Sequence, residues 1–284
     1  MEIKGKNALI TGSAAGIGQA TAFALADAGA AGFALADLDE KGLLDTANVL
    51  EQKGSRVIVE KVDVTDPVAL TAFFERAESE LGGLDIIHNN AGTICGEPVW
   101  PETSLDKIKL VVSVNLLGVM YGTRIAVDAL QRRGGGVIIN TASTASLGPM
   151  PADPMYSGTK TAVVNLVQAS AGLAASHNIR VNAILPGMVR TQFIGRTGDG
   201  KNPAAWLAPA LAQTTMLTPA QIAEGIMTLI QDDERAGECL IVDNTPGEGE
   251  PPQITRLKDP AEFYSFVADR AKAMAAMLNQ GNSD

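Results

Sequence analysis

The chain has 284 residues, 46% of them hydrophobic, and its 32 acidic and 22 basic side chains give a net charge of −10. Such a length permits a sizeable buried core, and the acidic balance argues against a nucleic-acid or anionic-membrane surface, which needs clustered Lys and Arg. Two cysteines, Cys95 and Cys239, make neither a disulfide framework nor a metal site, and two histidines, His88 and His177, are too few for a metal cluster or a Ser-His-Asp triad.

Along the chain, short β-type runs alternate with longer helical stretches. Strands are predicted over 7–10, 32–36, 56–61, 84–88, 136–141, 180–185 and 240–242. Helices are predicted over 18–28, 40–53, 67–81, 104–132, 156–177 and 219–231. Most of the strands are continuous apolar runs, as parallel strands buried on both faces require. The reading is an α/β fold: one doubly wound parallel sheet of seven strands with helices on both faces. No apolar run reaches the roughly 18–20 residues of a membrane span. The opening MEIKGKNALITG lacks a signal-peptide pattern, so a soluble, cytoplasmic protein is expected.

Two segments break the alternation. Residues 191–218 mix Gly, Pro and polar residues with Trp206, Leu207 and Met216, as a substrate-covering lid at the carboxyl end of a strand would. A tail follows the main domain 1–243. This extension, 244–284, opens on TPGEGEPP, which can continue neither helix nor strand, and then holds one helix predicted over 259–278. Phe263, Phe266, Val267, Met274, Met277 and Leu278 would share a face of it. What that face covers is left between the subunit's own surface, a partner subunit and the mouth of the site.

The first strand runs into Thr11-Gly12-Ser13-Ala14-Ala15-Gly16-Ile17-Gly18 and then a helix. A glycine-rich turn in this place aims backbone N–H groups and the positive helix end at a pyrophosphate. Asp37 closes the second strand, where a carboxylate can accept both ribose hydroxyls of an adenosine and repel a 2′-phosphate. That points to NAD rather than NADP.

Ser143 follows the strand 136–141, and Tyr156 begins a helix that carries Lys160 one turn later. Residues i and i+4 share a helix face, so the ammonium can lie near the phenol and favour its ionised form. A phenol of pKa about 10 otherwise makes a poor base at neutral pH.

Together these motifs resemble the short-chain dehydrogenase/reductase family in its single-domain form. The resemblance spans residues 4–243 and rests on Thr11–Gly18, Asp63-Val64, Asn89-Asn90-Ala91-Gly92, Asn115, Ser143, the Tyr156/Lys160 pair, and Pro186-Gly187 followed by Thr191. It implies a Rossmann sheet and an NAD-dependent oxidoreductase that interconverts a secondary alcohol and a ketone. Gly12, Gly16, Ile17 and Gly18 would surround the pyrophosphate, Asp37 the ribose, and Asp63 with Val64 the adenine. Asn90 would meet the cofactor through its backbone, and Val189 and Thr191 would grip the carboxamide. Tyr156 would be the acid/base, Lys160 would bind the nicotinamide ribose and lower the tyrosine's pKa, Ser143 would orient the carbonyl, and Asn115 would hold a water. Similar proteins pair the helices 104–132 and 156–177 between subunits, which implies a homodimer or homotetramer. The family's Val-Asp-Gly-Gly turn is replaced here by Val242-Asp243-Asn244-Thr245.

Leu147, Met150, Met155, Met188, Trp206 and Met216, together with Ser143, are candidate walls of an apolar substrate pocket. Two alternatives stay open: a catalytically silent cofactor-binding scaffold or sensor of the same fold, and an NADP-dependent ketone reductase.

Overall fold

The apolar runs enter one sheet as buried strands. In the computed structural model, which describes residues 1–245 and 251–281, these are β1 (Asn7–Thr11), β2 (Gly32–Asp37), β3 (Arg56–Lys61), β4 (Ile86–Asn89), β5 (Gly136–Thr141), β6 (Ile179–Pro186) and β7 (Cys239–Asp243). Every residue of β5 and β6 is buried, which is why their sequences show no polar alternation. All seven run parallel, in the order β3-β2-β1-β4-β5-β6-β7.

Helices cover both faces. On one side α1 (Gly16–Asp27), α2 (Glu40–Gln52) and α10 (Pro219–Gln231) pack with Ile10, Phe33, Leu35 and Ile226. On the other, α3 (Pro67–Leu81), α5 (Val119–Arg133) and α6 (Pro154–Ala169) pack with Leu9, Phe73, Phe74 and Val163. The ends of α3 are written locally. Asp66 Oδ1 accepts from Val68 N and Ala69 N, Pro67 opens the first turn, and Gly82 closes it at φ 78°. The winding reverses between β1 and β4, so a crevice opens at their carboxyl ends.

Three features differ from the sequence reading. First, the helix expected over 104–132 is α4 (Leu105–Val112), a π-helical turn Ser113–Gly118, and α5. The continuous stretch Leu105–Arg133 is long and apolar enough by composition to cross a membrane, contrary to the expectation that no run is. Here Val111, Val119, Ala126 and Leu130 are buried.

Second, the helix expected over 156–177 begins earlier and breaks. Asp153 caps α6 at Pro154, and the chain turns at Ser170–Gly172 before α7 (Leu173–His177).

Third, the sheet has an eighth strand. β8 (Gln253–Leu257) runs antiparallel to β7, from Cys239↔Leu257 to Asp243↔Gln253. Its five residues are mostly exposed, so they lack the apolar run that marks the inner strands. The tail helix, α11 (Pro260–Gly281), buries Phe263 and rests Phe266 and Val267 on the core. The side chains of Met274, Met277 and Leu278 lie outside the described residues, as does most of TPGEGEPP.

Candidate active site

At the reversal point the chain makes its tightest approaches. Gly12 leaves β1 at φ +66°, and a Cβ there would fall 2.8 Å from Ala91 Cα. At Gly18 a Cβ would lie 2.2 Å from Gly12 O. Only glycine lets β1, α1 and the end of β4 meet this closely. Ala15, the N-cap of α1, offers no side-chain cap, so the first N–H groups of the helix stay available to an anion.

A buried chain of hydrogen bonds fixes the floor beneath the turn. Asn90 Nδ2 donates to Gly12 O at 2.9 Å, and its N donates to Thr11 Oγ1 at 3.0 Å. Thr141 Oγ1 donates to Asn90 Oδ1 at 3.2 Å, which leaves His88 Nε2 as the donor to Thr141, at 2.9 Å. Burial pushes His88 down to about 3, so it stays neutral and structural.

A cleft of about 960 Å³ runs from this turn across the carboxyl edge. Gly12, Gly16, Ile17, Asp37, Asp63, Val64 and Asn90 line one reach of it, and Ser143, Tyr156, Lys160, Val189 and Thr191 another. Gly18 does not line the cleft; it packs behind Gly12. Asp37 Oδ2 accepts from Ala14 N at 3.0 Å, which couples β2 to the glycine turn. Asp63 Oδ1 accepts from Thr65 N at 2.9 Å. The described residues lining this reach include no Lys or Arg; Asp37, Asp39 and Asp63 are its ionisable groups.

Tyr156 and Lys160 are both set by α6. Asp153 Oδ1 caps Tyr156 N at 2.9 Å, while its Oδ2 accepts from Cys95 N at 2.7 Å, so one carboxylate pins the helix start to the loop after β4. An Asp-Pro helix start of this kind is a cap signal legible in the sequence. Lys160 Nζ lies 5.8 Å from the centre of the Tyr156 ring and donates to Thr141 O at 2.7 Å. Both side chains therefore come to one place. Asn115 does not line the cleft. It is buried in the π turn, where its side chain donates to Thr93 O and accepts from Thr93 N, both at 2.8 Å. It stays close to Lys160: the position of a Cβ on Gly92 is 3.5 Å from Asn115 Oδ1 and 3.7 Å from Lys160 Nζ.

Burial, more than any nearby charge, sets the Tyr156 hydroxyl here. Burial pushes the Tyr156 hydroxyl up to about 12, a hydrogen bond with Ser143 pulls against it, and the charge of Asp153 adds to the rise. Burial also brings Lys160 down to about 8, which weakens its positive pull.

Of the expected pocket residues, Leu147, Met150, Met188 and Trp206 line the cleft beside Ser143. Met155 and Met216 do not. Met155 precedes Tyr156 on α6 and so points about 100° away around the helix. Leu217 pairs with Val189 and is buried, so its extended neighbour Met216 turns to the opposite side, into a separate hollow with Arg190 and Leu211. Four residues were missed. Phe193 places its ring 5.8 Å from that of Tyr156. Arg196 and Arg270 line the cleft, and Asn244 holds the Met188 backbone.

Residues 6–202 match the family model described as short chain dehydrogenase. The chain belongs to that family. This short-chain dehydrogenase is 36% identical to 3beta-hydroxysteroid dehydrogenase 2 of Eggerthella lenta, over 85% of its own length and 94% of the relative's. It is 33% identical to human 15-hydroxyprostaglandin dehydrogenase [NAD(+)], over 87% and 94%. Carveol dehydrogenase from Mycobacterium avium, solved in complex with NAD, superimposes with a TM-score of 0.78 at 26% identity, covering 85% of this chain and 97% of that one. The chain is thus an oxidoreductase acting on a CH–OH group of a small molecule.

Proposed function

We propose that this short-chain dehydrogenase uses NAD to interconvert a secondary alcohol and a ketone on a hydrophobic small molecule, with Tyr156 as the acid/base. The observation that carries the reading is the meeting of Tyr156, Ser143 and Lys160 in the cleft that starts at the glycine turn. A dinucleotide fits the residues present: the turn admits no Cβ at Gly12 and the start of α1 is uncapped. Asp37 in a reach lined by carboxylates supports NAD over NADP, because a 2′-phosphate would meet like charge there. Gly12, Gly16 and Ile17 would hold the pyrophosphate, Asp63 and Val64 the adenine, and Val189 and Thr191 the carboxamide.

When bound, NAD supplies the hydride acceptor and, in reverse, the donor. The chain's own part concerns the proton. Ser143 Oγ orients the substrate oxygen, and the Tyr156 hydroxyl gives a proton to the ketone oxygen in reduction or takes it from the alcohol in oxidation. Lys160, held by Thr141 O, places a cation beside that exchange. Asn115 keeps the π turn closed on Thr93 next to Lys160, where we propose that a water carries the proton outward. Leu117 and Met120, exposed on the helices after Ser113, support assembly into a dimer or tetramer through that face.

Tyr156→Phe tests the reading. Turnover of secondary alcohols should vanish while NADH binding, followed by nicotinamide fluorescence, persists. An active variant would remove Tyr156 from the chemistry, and a silent wild-type chain that still binds NADH would mark a scaffold instead.

A further inference from the structure

At the Tyr156 end of the cleft, Leu147, Met150, Met188, Phe193 and Leu207 supply an apolar wall. Besides Tyr156 and Lys160, the ionisable side chains lining this end are Arg196 and Arg270. Arg270 is already met by Asp243, at 3.0 Å. Arg196 is exposed and has no carboxylate partner among the described residues. It directly follows α8 (Gln192–Gly195), three residues beyond the Phe193 ring that touches Tyr156. Its carbonyl oxygen closes over Gly96, in the loop that Asp153 anchors through Cys95 N. The lid cation therefore lines the same cleft as Tyr156.

A second, independent observation lies on the same lid. The indole Nε1–H of Trp206 is buried with no hydrogen-bond partner among the described residues, although Trp206 lines the cleft. An indole N–H can only donate, so it calls for an acceptor from outside the chain. Thr197 Oγ1 accepts from Ala204 N at 3.0 Å and ties the stretch carrying Arg196 to the one carrying Trp206. Donors with no matching acceptors, set at the rim of an apolar wall, describe a site for an acceptor-rich anion on a hydrophobic body.

We infer that the alcohol this site oxidises carries a carboxylate on an apolar body, bound by Arg196 with Trp206 Nε1–H as a further donor. The inference rests on the dehydrogenase reading above. A guanidinium pairs with a carboxylate through two parallel hydrogen bonds, and in a chain of net charge −10 an unpaired lid cation gives that anion a place to land.

The experiment compares acids with their methyl esters on the NADH-saturated full chain, which binds the alcohols without oxidising them. The probes are 4-hydroxycyclohexanecarboxylate, 12-hydroxyoctadecanoate and a 3-hydroxysteroid carboxylate, with binding read by calorimetry. At least one acid should bind about tenfold more tightly than its ester, and the gap should narrow at about 0.5 M salt. Arg196→Gln should collapse that gap, Arg196→Lys should restore part of it, and Trp206→Phe should weaken the acid several-fold. NADH binding checks that each variant is folded. Esters that bind as well as acids, acids that do not bind, or a preference that survives Arg196→Gln would overturn the inference. NADH formation reports on the parent reading separately. Esters oxidised without acid preference leave the dehydrogenase and remove the carboxylate site; acids bound selectively but never oxidised do the reverse.

Discussion

Asn244 holds the backbone of Met188 on both sides: its Oδ1 accepts from Met188 N at 2.6 Å and its Nδ2 donates to Met188 O at 2.9 Å. The same amide reaches Thr215 O at 2.8 Å, so one side chain joins the strand end, the turn after Pro186 and the far end of the lid. Asn244→Gly, which restores the family's residue, removes all three bonds, each worth about 1 kcal/mol net. The expected result is a melting temperature lower by roughly 5 °C. We also expect about a tenfold loss in kcat/KM carried mainly by KM, since the turn bounds the cleft; an unchanged KM would show that the clamp is only structural.

The pH dependence follows from Tyr156. With its hydroxyl pushed up to about 12, the residue is protonated at neutral pH and ready to donate. Ketone reduction should therefore hold steady from neutral pH and decline in the alkaline range, while alcohol oxidation, which needs the ionised form, should rise with pH. Initial rates in both directions over a common buffer series check this, and parallel profiles would contradict it.

Lys160 makes a prediction about stability alone. Burial lowers it from 10.5 to about 8, so between those values the unfolded chain holds a proton that the folded chain has released. Stability must then rise with pH across that window, by about 3 kcal/mol for this group at most, and be flat in it below about 8. Lys160→Met, whose activity should fall at least a hundredfold, should lack the rise in denaturant titrations.

Asp37 tests the proposed preference for NAD. Asp37→Ser removes the repulsion of a 2′-phosphate and should raise the NADP-to-NAD preference by about ten- to a hundredfold. It also forfeits the bond from Ala14 N, so NAD affinity should fall. Titrating both cofactors into wild type and variant measures this, and tighter NADP binding by the wild type would refute the assignment.

Glu238 tests the last strands. It is 3% exposed, and its Oε1 accepts from Arg235 Nη1 at 2.7 Å and from Arg256 Nε, on β8, at 2.9 Å. Glu238→Ala takes one of two carboxylates from Arg235, itself 5% exposed and still held by Asp232 at 2.8 Å, and should cost about 1.5–3 kcal/mol in chemical denaturation.

Local sequence carried the architecture and the Tyr156/Lys160 pair. The strands β1, β2 and β4 to β7 are buried along all or nearly all of their length, and an apolar run of that kind has few other places to go. The glycine turn and the Tyr156/Lys160 spacing are legible for a similar reason, since backbone geometry and helical period act over a handful of residues. Asp63, Asn90 and Thr191 came from the family resemblance rather than from any local signal.

What tertiary structure decided is every relation between distant segments. The exposed strand β8, the Asn244 clamp and the approach of Arg270 to the cleft depend on where the tail folds back, which no periodicity encodes. Met155 and Met216 were misplaced because sequence proximity to a site says nothing of the direction in which a side chain leaves its backbone. The state of Tyr156 was the subtlest case. Spacing put an ammonium near its ring, but burial, a property of the whole packed molecule, is the largest influence on the hydroxyl and drives it upward.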